Sequence, residues 1–136
     1  MKAERRAIEH DVKAADTGAY SSGVLCDGWL HVSGHASVDL ETGEVKQGTI
    51  EEETTQTLRL IEQLIIRAGG NRNDIVKCSV HLADIGDFDR FNQAYSQFFK
   101  GGLLPARTTV GSQLPGIKVE IDAVAFISDS KQGKVI

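Results

Sequence analysis

Several stretches of the chain alternate apolar and polar residues, which is the period of a strand with one buried face. The clearest is Ile75–Ala83, whose predicted core face is formed by Val76, Cys78, Val80 and Leu82. The stretch Ile117–Ile127 predicts a second core face, which comprises Ile117, Val119, Ile121, Ala123, Ala125 and Ile127. Shorter strands are predicted over Arg107–Gly111 and near Ala7–Ile8. The pattern thus indicates a large β component.

Two further apolar runs, Gly23–Cys26 and Trp29–Ser33, flank the dipeptide Asp27-Gly28. This arrangement predicts a two-residue hairpin, because the turn requires positive φ at its central positions. In the second strand, the side chains that face the core are Leu30 and Val32. We expect that strand to end in a turn at Ser33-Gly34.

Two amphipathic helices are also predicted. The first begins with a capping box, in which Thr49 is the N-cap and Glu52 the N3 residue, and ends at Gly69-Gly70. Its apolar stripe comprises Leu58, Ile61, Leu64, Ile65 and Ala68. The second runs from about Asp87 to Phe99, and its stripe comprises Phe88, Phe91, Ala94, Tyr95 and Phe98.

The predicted order of elements is β-β-(β)-α-β-α-β-β, which suits a single α+β domain with both helices on one face of a sheet. The domain spans residues 1–136, with a polar lead-in at 1–16 and a loose tail at 128–136. The opposite sheet face is too apolar for solvent and too polar for a core, since it comprises Trp29, His31, Ser33, Lys77, Ser79, His81, Glu120, Val124 and Phe126. We therefore predict an oligomer whose interface is this face.

The composition and net charge of the chain argue against several classes of function. The 136 residues are 40% hydrophobic and carry a net charge of −4, from 15 Lys and Arg against 19 Asp and Glu. Nucleic-acid binding is disfavoured, because such proteins usually have a basic excess. No apolar run approaches the roughly 20 residues of a membrane span, and the charged N-terminus has no signal-peptide core. We expect a cytoplasmic protein.

No metal or nucleotide site is predicted. His31 and His35 are four residues apart, but a strand that runs into a turn does not place them on one face. The glycines match neither a dinucleotide fingerprint nor a phosphate loop. Cys26 and Cys78 lack zinc-ligand spacing, and we expect both to be buried thiols. His81 is expected to donate or accept a hydrogen bond at the interface rather than to catalyse.

Arg107 and Glu120 are candidate catalytic residues on the last two predicted strands. A guanidinium binds a carboxylate in a bidentate fork. A carboxylate near such an anion-binding group can orient or activate water. From these residues alone, an ordinary surface or interface ion pair remains the alternative.

The C-terminal segments Pro105–Val110, Gln113–Pro115 and Val119–Ala125 together resemble the signature of the reactive intermediate deaminase (Rid) family, formerly grouped with endoribonuclease L-PSP proteins. Supporting matches are Val32–His35, Thr42–Val45, Asp74–Lys77 and the second helix with Asn92, Tyr95, Phe98 and Phe99. The resemblance covers about residues 17–127, which is nearly the whole domain.

This resemblance implies a chorismate-mutase-like fold and a homotrimer with ligand clefts between subunits. Active members hydrolyse 2-imino acids, or their enamine tautomers, to 2-oxo acids and ammonia without a cofactor. By the same resemblance, Arg107 would bind the substrate carboxylate and Glu120 would position the attacking water. Residues that would line or support the cleft are Tyr20, Ser33, Gly34, Asn92 and Thr109.

Three segments depart from the family pattern. Thr109 stands where many members have Cys, so thiol-dependent behaviour should be absent. The runs His35–Ser37 and Thr17–Ser22 replace Gln-Ile-Pro-like and Gly-Pro-Tyr-Ser-Gln-like runs beside the cleft. The substrate therefore stays open and includes aminoacrylate-like or 2-aminomuconate-like compounds of a dedicated pathway. A trimer that binds small carboxylates without turnover is a further alternative, whereas the acidic net charge argues against a nuclease.

Overall fold

Six strands form one mixed sheet in the computed structural model, which describes residues 4–11 and 18–128. The elements in chain order are β1 (Arg5–Ile8), β2 (Gly23–Cys26), β3 (Trp29–His35), α1 (Ile50–Arg67), β4 (Ile75–Leu82), α2 (Phe88–Phe98), β5 (Ala106–Gly111) and β6 (Val119–Phe126). The predicted order is confirmed, including the short first strand. Residues 1–3 and 12–16 of the predicted lead-in, Thr17, and positions 129–136 of the predicted tail lie outside the described residues.

The strand order across the sheet is β1-β2-β3-β6-β4-β5. All neighbouring strands are antiparallel except β4 and β5, which are parallel. A parallel pair needs a crossover connection, and α2 supplies it. The apolar stripes of both helices pack against the inward-facing residues of the strands and form one core with them. This core includes Leu30, Leu58, Leu64, Val80, Phe91 and Ile121. The α+β fold with two helices on a mixed sheet is confirmed.

Local signals in the sequence predict the turn and the first helix correctly. Asp27 and Gly28 both have positive φ, 55° and 86°, as the hairpin turn requires. The Thr49 hydroxyl accepts from the Glu52 backbone N–H at 3.1 Å, and the Glu52 carboxylate accepts from the Thr49 N–H at 2.9 Å. The hydrogen bond from the Thr49 backbone N–H to the carboxylate, with a smaller contribution from the Thr49 side chain, lowers the pKa of Glu52.

Two irregularities in the sheet correct the sequence analysis. In β4, Val76 is 42% exposed and Ile75 is buried instead, because the pairing with β6 slips between Ile75 and Lys77. In β3, no turn interrupts the strand at Ser33-Gly34. The strand continues to His35 through a β-bulge, since the register with β6 shifts between Val32 and His35. Each bulge moves side chains to the opposite face of the strand.

A buried carboxylate that the sequence analysis missed joins the start of α1 to the segment before β6. Glu53 is 1% exposed, and it accepts hydrogen bonds from the Gly48 N–H at 3.1 Å and the Lys118 N–H at 3.0 Å. The Lys118 ammonium adds a contact at 3.3 Å. These partners satisfy the charge, which would otherwise be costly in the interior.

The face of the sheet that points away from the helices is called the open face below. Alternation along β3 and β6 is confirmed here, since Trp29 and Phe126 remain 44% and 41% exposed while their neighbours Leu30 and Ala125 are buried. The Trp29 and Phe126 rings contact each other with centroids 4.8 Å apart. Neither described helix has the length and hydropathy of a membrane span.

Candidate active site

A cleft of about 620 Å³ lies on the open face where β3 meets β6. Besides two valines, its lining comprises Tyr20, His31, Ser33, Gly34, Glu120 and Asp122. Four predicted site residues are therefore brought together: Tyr20, Ser33, Gly34 and Glu120. We call these four the Glu120 half-site.

The bulge in β3 shapes the Glu120 half-site. A Cβ atom at Gly34 would lie only 2.7 Å from the Glu120 Oε1, so the carboxylate occupies space that any other residue would fill. Ser33 is held by three hydrogen bonds of its own. Its hydroxyl donates to the Ser21 carbonyl at 2.6 Å, its N–H donates to the Ser22 carbonyl at 2.9 Å, and its carbonyl accepts from His35 at 2.6 Å.

Arg107 lies on the other side of the sheet. Its register partner on β4 is Cys78, which is fully buried beneath the helices, so Arg107 points toward α2. The guanidinium carbon is 4.7 Å from the ring centroid of Tyr95, 5.2 Å from that of Phe91 and 5.6 Å from that of Phe88. The aromatic stripe of α2, which the sequence predicts only as core, is therefore also a platform for a cation.

Arg107 has no ion-pair partner among residues 4–11 and 18–128. The guanidinium is half-buried, and its planar face rests on the aromatic rings. Because no described carboxylate pairs with it, its N–H groups are available to an external anion. Among the described residues, Arg107 and Glu120 form no ion pair within one chain, and an ion pair across an interface stays open.

Thr109 lies two residues beyond Arg107 on the same face of β5, opposite Val80. Its hydroxyl is buried and has no hydrogen-bond partner in the described part of the chain. Asn92 is exposed on α2, one helical turn after Phe88. We call Arg107, Thr109 and the three aromatic residues of the platform the Arg107 half-site.

One copy of the chain does not bring the two half-sites together. Arg107 pairs with Cys78, and Cys78 pairs with Ala123, three residues beyond Glu120. Two strand spacings and three residues separate the Cα atoms of Arg107 and Glu120 by roughly 14 Å. The two side chains also leave opposite faces of the sheet. A small substrate on Arg107 is therefore out of reach of Glu120 in the same copy.

His31 lines the cleft, whereas the other three histidines lie outside the lining and form hydrogen bonds elsewhere. His81 binds the Ser112 hydroxyl through Nδ1 at 2.7 Å, within the chain. His35 binds His10, with 3.0 Å between their Nε2 atoms. His31 and His35 do face opposite sides of the sheet, but the cause is the bulge and not a turn. The described residues contain no group of three side chains suited to hold a metal.

The two thiols differ in their surroundings. Cys78 is fully buried, as predicted, and burial raises the pKa of its thiol, which makes it a poor nucleophile. Cys26 is only half-buried, which corrects the sequence expectation, because alternate residues of β2 point to the open face. Burial also raises the pKa of Tyr95, so its hydroxyl stays protonated beneath Arg107.

Comparison with known proteins gives consistent matches. The family model of endoribonuclease L-PSP matches residues 11–127. The 2-iminobutanoate/2-iminopropanoate deaminase of Rattus norvegicus is 37% identical over 123 residues, which cover 89% of each chain. Among solved structures, the Rid family protein YyfA from Yersinia pestis has a TM-score of 0.85 and 32% identity, and covers 91% of this chain and 100% of its own.

A second solved structure is that of TdcF from E. coli with bound serine. It has a TM-score of 0.83 and 30% identity, and the match covers 90% of this chain and 99% of TdcF. The model match spans most of the chain, and these relatives align along nearly their whole length. The chain therefore belongs to the Rid family, which the endoribonuclease L-PSP model describes.

Proposed function

We propose that the protein is a hydrolytic deaminase that converts 2-imino acids, or their enamine tautomers, to 2-oxo acids and ammonia. The observation that carries the proposal is the Arg107 guanidinium, which is stacked on aromatic rings and has no carboxylate partner in the described chain. Such a group is suited to a substrate carboxylate. The relative named 2-iminobutanoate/2-iminopropanoate deaminase supports the reaction class.

In the proposed reaction, Arg107 binds the carboxylate and fixes the imine carbon next to Glu120 of another copy. The Glu120 carboxylate removes a proton from water as the water oxygen bonds to the carbon of the N-protonated imine. The C=N electron pair moves to nitrogen, which becomes the neutral amino group of a carbinolamine. The resulting carboxylic acid then protonates the amino group of the carbinolamine. The carbinolamine oxygen re-forms C=O, its proton passes to solvent or Glu120, and ammonia leaves. No cofactor takes part in the proposed steps.

We propose that the active assembly is a homotrimer with its sites between subunits. Geometry supports sites between subunits, because the half-sites occupy opposite faces of one sheet and must come from two copies to contact one small molecule. The number of three copies rests on the family resemblance. The half-exposed apolar residues of the open face also favour burial against another copy. In this proposal, β5 and α2 of one copy face the cleft at β3 and β6 of the next.

The second candidate is a trimer that binds small carboxylates without turnover. The relative whose structure contains bound serine favours this reading, since serine carries a carboxylate and is not an imine. Glu120 separates the two candidates. Arg107 suffices for binding a carboxylate. Glu120 lies at the cleft and forms no ion pair with the residues that the structure describes, which suits the handling of water.

The decisive experiment measures release of 2-oxo acid and ammonia from a panel of imino acids that an amino-acid oxidase generates in the cuvette. We expect accelerated hydrolysis of imino acids with a free carboxylate. The matched esters, which cannot pair with Arg107, should be hydrolysed at the uncatalysed rate. Equal acceleration of acid and ester would contradict the role of Arg107, and no acceleration of either would favour the binding protein.

A further inference from the structure

Three consecutive residues after β1 each bind a different part of the fold. The Glu9 carboxylate accepts a hydrogen bond from the Ser22 N–H at 3.2 Å, next to the loop that carries Tyr20. His10 binds His35 at the end of the β3 bulge. Asp11 forms an ion pair with Arg67 in the last turn of α1. The segment therefore ties the edge strand to the backbone that forms the Glu120 half-site.

The Ser33 carbonyl fixes one proton of His35, and this determines which ring donates in the hydrogen bond between the two imidazoles. The Nδ1 of His35 lies 2.6 Å from the Ser33 carbonyl, which can only accept, so Nδ1 carries a proton. In the neutral ring, the Nε2 of His35 is then an acceptor. His10 must donate its Nε2 proton across the 3.0 Å that separates the two Nε2 atoms. His10 is 9% exposed, so this hydrogen bond is largely shielded from water.

The ring geometry is that of a hydrogen bond rather than of two ligands to one metal ion. The ring centroids are 5.2 Å apart, close to the Nε2–Nε2 distance plus the two short centroid-to-nitrogen distances. The two nitrogens therefore point almost directly at each other. Ligands of a common ion would instead converge from an angle on a point beside the line between them.

We propose that His10 and His35 are positioning residues for Glu120, and that their shared proton makes the site sensitive to acid. His35 holds the Ser33 carbonyl, and Ser33 precedes Gly34, whose missing side chain leaves room for the Glu120 carboxylate. The pair thus fixes the bulge from the side of the sheet opposite the cleft. This inference rests on the role of Glu120 in the proposed function.

The direction of the pH effect follows from the proton count. The Nε2–Nε2 hydrogen bond survives while one of the two Nε2 atoms is unprotonated. When both rings are charged, each Nε2 carries a proton and the two cations repel, so the link is lost as pH falls through the range where histidine titrates. Among residues 4–11 and 18–128, the charged groups near the pair include Glu9 and Asp11 beside His10, Arg67 of α1, and Glu120 beyond Gly34.

The test compares pH profiles of the wild type with His35→Gln, which is the residue type common in the family at this position. A glutamine amide can both donate to Ser33 and accept from His10 but does not titrate. Across the pH range in which histidine titrates, we expect kcat of the wild type to fall by up to about tenfold per pH unit, with KM unchanged. Protonation of the base Glu120 in more acidic solution should lower kcat in every variant alike. His35→Gln should keep most of the neutral-pH kcat and lose this acid decline. His10→Asn, which breaks the link, should have a low kcat at every pH.

The matched control is His81→Gln, which removes a histidine of the same sheet that binds Ser112 instead. It should keep the acid decline. An unchanged decline in His35→Gln, or its loss in His81→Gln, would overturn the proposal.

A second readout does not depend on activity. In an NMR titration, the imidazole signals of His10 and His35 should shift together in the wild type, and substitution of either should alter the titration of the other. If the chain proves not to be a deaminase, coupled titration still supports the link. Independent titration of the two rings overturns it even in an active enzyme.

Discussion

The Arg107 and Glu120 half-sites are built from different kinds of backbone. Arg107 leaves a regular strand and rests on three aromatic rings of a regular helix, so side-chain packing holds it. Glu120 faces a β-bulge and the loop at Ser21-Ser22, where hydrogen bonds hold the backbone. The first half should therefore tolerate substitutions that conserve aromatic volume. The activity that depends on the Glu120 half-site should instead change when one carbon atom is added at Gly34 or when the pH changes.

Glu120→Gln should have the largest effect on catalysis. Glutamine keeps the shape of the side chain and removes the base, and loss of a general base typically lowers kcat by about 100-fold or more. Binding of a 2-oxo acid, measured by calorimetry, should persist because Arg107 is intact. Asp84→Asn is a suitable control, since Asp84 is a carboxylate that caps the turn before α2, away from the cleft. Wild-type turnover in Glu120→Gln would make the binding protein the better reading.

Arg107→Ala should come next. Loss of a charge-assisted pair with the substrate carboxylate should remove at least about 2 kcal/mol from transition-state stabilisation, or roughly thirtyfold in kcat/KM. Arg107→Lys should rescue little, because an ammonium lacks the planar fork and stacks poorly on rings. The control is Arg59→Ala, an exposed arginine on α1 for which the described chain shows no ion pair. Equal losses in both arginine variants would indicate a general charge effect.

Mixed trimers test whether the halves come from different copies. Arg107→Ala and Glu120→Gln chains are coexpressed, and the assemblies that carry both are isolated. If each site uses Arg107 of one copy and Glu120 of another, every trimer that carries both variants keeps about one intact site in three. Activity should then recover to about that fraction of wild type. If one copy supplied both groups, every site would lack one of them, and the mixture would be no more active than its components.

Gly34→Ala tests the Glu120 half-site through its backbone. The added Cβ would lie 2.7 Å from the Glu120 Oε1, so the carboxylate must move. Displacement by a fraction of an ångström to an ångström should lower kcat by about tenfold with little change in KM. Gly111→Ala is the matched control on β5, because a Cβ there meets its nearest atom at an ordinary 3.7 Å. The prediction fails if the two alanine variants have the same kcat.

Local patterns in the sequence predict most of the fold and little of the site geometry. The hairpin, the capping box and both helical stripes depend on neighbours in the chain, and all three are confirmed. The burial of Ile75 in place of Val76 depends on how β4 pairs with β6. The alternation of apolar and polar residues carries no information about that pairing. The side of the sheet from which Arg107 projects likewise depends on its register with β4.

The His10–His35 pair is a second feature that local sequence patterns do not predict, because its two residues are distant in the chain. Its members are 25 residues apart, and one of them was expected beyond a turn that is in fact a bulge. The resemblance identifies Arg107 and Glu120 as members of one kind of site. Only the three-dimensional structure separates them by a sheet.

Tyr95 variants should have the smallest effect and probe the Arg107 half-site from below. Tyr95→Phe keeps the ring that lies 4.7 Å from the guanidinium, so kcat/KM should stay within about twofold of wild type. Tyr95→Leu removes the ring, and the loss of a cation–π contact worth about 1 kcal/mol should raise KM about fivefold.

Because Tyr95 is buried, Tyr95→Leu also destabilises the core, which urea unfolding measures separately. Phe99→Leu is the matched control, since Phe99 is buried and packs against Tyr95. Among the described aromatic rings, the Arg107 guanidinium stacks on those of Phe88, Phe91 and Tyr95 and not on that of Phe99. A rise in KM that is equal in the two leucine variants would mean that core packing, and not the cation platform, sets substrate affinity.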